Sequence, residues 1–240
     1  MSKAAHAEVP ADAIRRAALD PTIIKIRHDL AGFTATTFKT VGTELQVFGH
    51  ILGSDRKTGA SPFGHGDDAA VAVSMLLRIG SQLVSASADL IADDRDYAGA
   101  ALIRQLVEVE YLAWAFEANN EVAAKWLRSS QNERKSFFTP AKLRKAADNR
   151  FRSVDYGHHC ELGGHPVPGS WRLLNEDRAI AQLMLSDCLG HTGRIWDHVV
   201  GWSIGNLLTD IVGSRSGEML KRYAAWKRGD PLTVLPPPPG

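Results

Sequence analysis

The chain has 240 residues, 44% of them hydrophobic, with 28 Lys and Arg against 27 Asp and Glu and a formal charge of +1. That content suits one globular unit with a sizeable core, and a balance so near zero excludes a uniformly basic nucleic-acid binder while leaving room for a local basic patch. Two cysteines, Cys160 and Cys188, exclude a disulfide framework, and the first residues (MSKAAHAEVP) offer no apolar signal-like run, so a soluble cytoplasmic protein is expected.

Helical periodicity runs through the sequence without a competing strand pattern, and the fold class expected is all-α. A weak helix follows Pro10 (ADAIRRAAL). A longer one runs from Pro21, at a natural N1 position, to about Leu52. The stretch GSDRKTGASPFGHGDD from Gly53 to Asp68 is a loop by its turn chemistry. Asp67 and Asp68 then cap a helix reaching about Ala92, whose apolar run is interrupted by Arg78, Gln82 and several serines and does not read as a membrane span. The next helix ends at Asn119-Asn120, and a short one follows it (EVAAKWLRSS). Thr139-Pro140 opens another as N-cap and N1. A long helix begins near Asn175, a last one lies around SGEMLKRYAAWKRG, and the Pro-rich end cannot join a helix. Taking the 53–68 loop as a boundary gives an N-terminal helical arm over 1–66, a main helical bundle over 67–228 and a flexible Pro-rich tail over 229–240.

The segment YGHHCELGGHP, Tyr156 to Pro166, holds three of the nine histidines and one of the two cysteines. Read as a continuation of a helix from Ala146, it places Phe151, Val154, His158 and Leu162 on one apolar stripe, and Arg152, Tyr156 and His159 on another. His158 is then expected to face the core as a structural histidine. His159 shares its face with a guanidinium and a phenol, which is where chemistry is expected. Gly163-Gly164 stops the helix by offering the left-handed conformation, and His165 either folds back over the preceding turn or caps its last carbonyls.

Zinc is the obvious reading of so many ligating residues, but the spacing opposes it, since adjacent histidines diverge by about 100° on a helix. A second set, Asp187, His191, Arg194 and His198, follows steps of four, three and four and forms one polar stripe. It reads equally as the solvated face of an amphipathic helix. Asp187 and His191 would hold a metal only with ligands from other helices, and Arg194 in the middle of the stripe would repel the cation. No metal or other cofactor is expected.

Arg152, followed by Ser153 and then by His158 or His159, resembles the arginine-to-histidine motif of HEPN domains, an all-α superfamily. RQLVEVEYLAWAF from Arg104, with the later Tyr…Cys-Glu…His-Pro pattern, is similar to bacterial helical families of unknown function that carry Arg-x-Leu-x-Glu and Tyr…His-Pro segments. The similar segments span roughly residues 98 to 166. The resemblance implies a helical bundle, frequently a homodimer, in which Arg and His cleave RNA without metal, often as a toxin or antiviral effector with an antitoxin or effector partner. Arg152, His158, His159 and His165 would be its catalytic residues. A guanidinium suits bidentate phosphate contact and an imidazole suits proton transfer near neutrality, so the chemistry is coherent.

From Lys125 to Arg152 there are nine basic residues against two acidic ones, with Phe137, Phe138 and Phe151 interleaved. Lys142, Arg144 and Lys145, with Tyr156, are the expected contacts to RNA or a nucleotide. Arg104 and Glu108, four apart on a helix that is apolar almost all round, are expected to pair as a clamp against the 156–165 segment, because an unpaired buried charge is very costly. The reading that competes with a ribonuclease is a non-enzymatic helical dimer that binds a nucleotide, RNA or a protein.

Overall fold

The computed structural model describes residues 11–51, 67–148, 150–151, 153–174 and 177–234. The described residues are helical and contain no strand, so the protein is an all-α helical bundle. Its frame is five helices: α2 (Pro21–Ile51), α3 (Asp68–Ala92), α4 (Asp96–Ala118), α9 (Arg178–Gly205) and α10 (Thr209–Gly229). Short α1 (Ala11–Leu19) precedes them. Between α4 and α9 the chain makes α5 (Asn120–Arg128), α6 (Gln131–Phe137), α7 (Pro140–Ala146) and α8 (Ser153–His159).

Local chemistry sets the ends. The Asp20 carboxylate accepts from the amides of Thr22 and Ile23, with Pro21 as first residue of α2. Asp67, Asn119 and Asp177 cap α3, α5 and α9 in the same way. Ser130 and Glu133 close a reciprocal capping box that starts α6.

Within the region expected as an arm, helix α2 packs into the bundle itself. Leu30, Phe38, Val41 and Leu45 of α2 share one core with Leu76 and Leu77 of α3, Leu106 and Phe116 of α4, and Leu185, Trp196 and Trp202 of α9. The expected boundary loop falls almost entirely outside the described residues. By length and composition α3 could cross a membrane, yet 67% of its most apolar window is buried inside the bundle. Apolar area taken from water, at about 25 cal/mol per Å², is the main stabilising term of such a core.

Helices α2 and α10 are locked by Arg27, which is wholly buried. It gives Nε to Asp230 Oδ2 at 2.6 Å, Nη2 to Asp230 Oδ1 at 2.8 Å and Nη1 to the Ala18 carbonyl at 3.0 Å. Residues 229–234, expected in a flexible tail, therefore include an anchor, and Pro231–Val234 form a 3₁₀ turn. Residues 235–240 lie outside the described residues.

One relationship decides the site. Glu110 meets His191, Glu117 meets His198 and Asn120 meets Trp202. Both members of each pair advance together along the sequence, so α4 and α9 run parallel, and the segment 119–177 must cross from one end of the bundle back to the other.

Candidate functional site at the junction of α4, α8 and α9

The expected continuous helix from Ala146 to Leu162 is broken. α7 stops at Ala146, Asp148 takes a left-handed φ of 45°, and α8 starts only at Ser153. Phe151, in the break, packs against Tyr111 at 4.2 Å between ring centroids and edge-on to Trp114 at 5.7 Å. Because Phe151 precedes α8, its phase does not carry into that helix, and His158 does not reach the core as expected, while His159 stays where chemistry was expected. His158 is exposed, while the His159 side chain is 12% exposed and faces α9. Arg152 lies outside the described residues.

After His159 the chain forms a π-helical turn, Cys160–Gly164, closed by the His165 amide donating to the Cys160 carbonyl at 3.1 Å. Such turns are rare and recur at functional sites. The two glycines serve close approach, and neither takes the left-handed conformation expected of a stop signal. A Cβ on Gly163 would lie 2.5 Å from the Ala101 amide nitrogen, and one on Gly164 would lie 2.5 Å from Arg104 Cδ. The turn is thereby pressed onto α4. His165 leaves it in extended conformation and is exposed; it caps the turn through its backbone amide, and its side chain does not fold back.

Tyr156 points to α4. Arg104 Nη2 donates to its hydroxyl at 3.0 Å, the hydroxyl donates to Glu108 Oε1 at 2.9 Å, and Arg104 pairs with Glu108 at 3.0 Å. The clamp read from the sequence is present, and its fastener is the phenol. Burial, then the hydrogen bond and charge of Glu108, push the phenol up to about 12. Arg144 lies over the Tyr156 ring at 4.8 Å. Tyr156 and Arg144 are thus engaged in packing, whereas Lys142 and Lys145 are exposed on α7.

The polar stripe of α9 is only half solvated: Asp187 and Arg194 are exposed, while His191 and His198 are 6% and 4% exposed and turn toward α4. Glu110 Oε2 lies 2.5 Å from His191 Nδ1, and Arg194 Nε donates to Glu110 Oε1 at 2.8 Å. Burial works against ionisation of Glu110, but the hydrogen bond and charge of His191, then the guanidinium of Arg194, hold its carboxyl at about 2. An anionic Glu110 accepts a hydrogen bond from His191 Nδ1–H, which fixes the tautomer. Arg194 Nη2 also sits 2.8 Å from that nitrogen; both carry hydrogens, so the carboxylate is what holds them together.

With Nδ1 committed, neutral His191 presents a bare Nε2, and His159 Nε2 lies 3.1 Å from it. Asp187 completes the group, Oδ2 at 3.4 Å from His159 Nε2 and Oδ1 at 3.6 Å from His191 Nε2. The result is a Glu110–His191–His159 line that runs from the buried interior to the surface, flanked by the half-exposed side chains of Asp187 and Arg194. It can move a proton along a fixed axis or offer two imidazole lone pairs and a carboxylate to a cation.

Of the expected catalytic residues that are described, His158, His159 and His165, the structure brings only His159 to this group. Glu110, His191, Asp187 and Arg194 were not assigned to a site from sequence. A signal existed: Glu110 and Glu117 repeat the seven-residue spacing of His191 and His198, as two facing helices with paired rungs require. No family model, curated protein or solved structure matches the chain.

Proposed function

We propose that the protein is a HEPN-like, metal-independent endoribonuclease, working in the cytoplasm as a homodimer, with His159 and His191 as its proton-transfer pair. The observation that carries this reading is the 3.1 Å contact between two imidazole nitrogens at the surface end of a buried Glu110–His191 pair. Two such nitrogens sharing one proton supply a base and an acid in one site, and RNA cleavage without a metal needs both.

His191 Nε2 takes the proton of the ribose 2′-hydroxyl. The 2′-oxygen attacks phosphorus, the bond from phosphorus to the 5′-oxygen breaks, and His159 Nε2 gives its proton to that leaving oxygen. The products are a 2′,3′-cyclic phosphate and a 5′-hydroxyl. Glu110 holds the His191 ring and stabilises it when it is charged, as a buried carboxylate does for a catalytic imidazole. Arg194, half exposed beside the pair, supplies positive charge to the phosphorane, with Arg152 of the arginine-to-histidine motif as the second cation. Lys142 and Lys145 add an exposed basic surface on α7 for the RNA backbone.

The test is incubation of the purified chain with RNA in EDTA, beside His191→Ala, His159→Ala and Arg152→Ala. Cleavage is expected to survive EDTA, to fall by about 10²–10⁴-fold in the histidine variants, and to persist in His158→Ala. RNA that is bound but left intact by the wild type would make the protein a binding module.

A further inference from the structure

We infer that His159, Asp187 and His191 form a binding site for a zinc-class divalent cation, which occupies the two reactive nitrogens and switches the site off. The metal site stands on geometry alone; only its silencing effect rests on the ribonuclease reading.

In a tetrahedral centre with bonds of about 2.0–2.1 Å to nitrogen and oxygen, neighbouring ligand atoms lie about 3.3–3.4 Å apart. Here the imidazole nitrogens are 3.1 Å apart, His159 Nε2 is 3.4 Å from Asp187 Oδ2, His191 Nε2 is 3.6 Å from Asp187 Oδ1, and one ligand atom from each of the three residues lies within 4.8 Å of the other two. A small turn of the Asp187 carboxylate, bringing one oxygen to both nitrogens, closes one triangular face of such a centre. The fourth position lies toward solvent, where Asp187 is half exposed.

The supporting groups are those a metal-bound histidine needs. Glu110 holds the Nδ1 proton of His191, which orients the ring and leaves Nε2 to coordinate. Asp187 and His191 are one turn apart on α9, so their ligand atoms share a face. His159, on α8, is the outside ligand that this pair lacked when read from sequence alone. Arg194 does not veto the cation, because its Nε is bonded to Glu110 and the two carboxylates outnumber the one guanidinium. Two imidazoles and one carboxylate suit zinc, cobalt or nickel better than magnesium or calcium, which prefer oxygen.

An ion bound to both Nε2 atoms leaves neither free to accept or give a proton. Metal binding and proton transfer therefore exclude each other at this site.

The experiment is titration of the chelator-stripped full chain with Co²⁺, followed by its displacement with Zn²⁺. One ion per chain is expected, with the strong visible bands of tetrahedral cobalt. His159→Ala and Asp187→Asn should each weaken binding at least about tenfold, and Glu110→Gln by about 10–100-fold. His158→Ala and His198→Ala should bind as the wild type does, and circular dichroism checks that each variant is folded. Absence of cobalt binding by the folded wild type, or binding indifferent to both His159→Ala and Asp187→Asn, overturns the site. An RNA-cleavage arm separates the two proposals. Cleavage by the stripped chain that Zn²⁺ arrests supports both. Ion binding with no cleavage at any metal level leaves the cation site and removes the nuclease, and cleavage without ion binding does the reverse.

Discussion

Two rungs join α4 to α9, seven residues apart and built alike: Glu110 with His191, and Glu117 with His198. Each pairs a carboxylate with an imidazole Nδ1, at 2.5 Å and 2.6 Å. They differ in what lies beyond the ring. At the first rung α8 brings His159 against the far nitrogen, Asp187 flanks it and Arg194 braces the carboxylate. At the second, Glu117 is 35% exposed and Gly201 supplies the space its carboxylate fills, since a Cβ there would sit 1.9 Å from Oε1. A carboxylate–imidazole pair between parallel helices is thus a packing device in its own right. The chemistry of the first rung comes from the crossover landing on it.

The comparison can be broken or sharpened by treating each rung as the other's control. The largest difference is expected in activity: His191→Ala should lower RNA cleavage by about 10²–10⁴-fold, while His198→Ala leaves it within a few-fold, as initial rates on a labelled RNA will show. Next comes stability. Glu110→Ala strands a buried imidazole and part of a guanidinium and should cost about 3–5 kcal/mol, whereas the more exposed Glu117→Ala should cost about 1 kcal/mol, both from urea unfolding.

A third contrast lies in acid. The Glu110 carboxyl is held at about 2, against an ordinary value of 4.5. A lowered folded-state value means that its stabilisation is complete above about pH 4.5 and drains away as pH falls through about 2. By linkage that is about 3 kcal/mol. The urea midpoint of the wild type should fall more steeply over this window than that of Glu110→Ala. The smallest effect is that of Gly201→Ala. The new methyl displaces the end of a flexible side chain, so a loss of about 1 kcal/mol with unchanged cleavage is expected. A loss of cleavage there would mean that the two rungs are coupled.

Much of the frame was legible from local signals. Pro21 at the start of α2, Asp67 before α3 and Asn119 after α4 mark ends by chemistry that acts within a turn, and the structure places those ends within a few residues of where the sequence put them. The Arg104–Glu108 clamp was legible because charges on an apolar helix must find partners nearby. The reactive pair was not. The core position expected of His158 carries the phase of Phe151 through a helix that the turn at Ala147 and Asp148 interrupts, so a ring expected to be buried is exposed. The α9 stripe looked solvated because amphipathicity alone does not say whether a polar face meets water or a second polar helix. Only the matched seven-residue spacing on α4 distinguished the two.

The parallel course of α4 and α9 also governs when the reactive pair comes into being. Glu110 and His191 are 81 residues apart, and His159 and His191 are separated by 32. Contacts so distant in sequence form after local hairpins such as α3–α4, because the loop between them must close first. A chain emerging from the ribosome carries Glu110 and His159 long before it carries His191. It has no base–acid pair until α9 has been made and drawn into register. On the ribonuclease proposed above, synthesis itself would keep the unfinished protein inert.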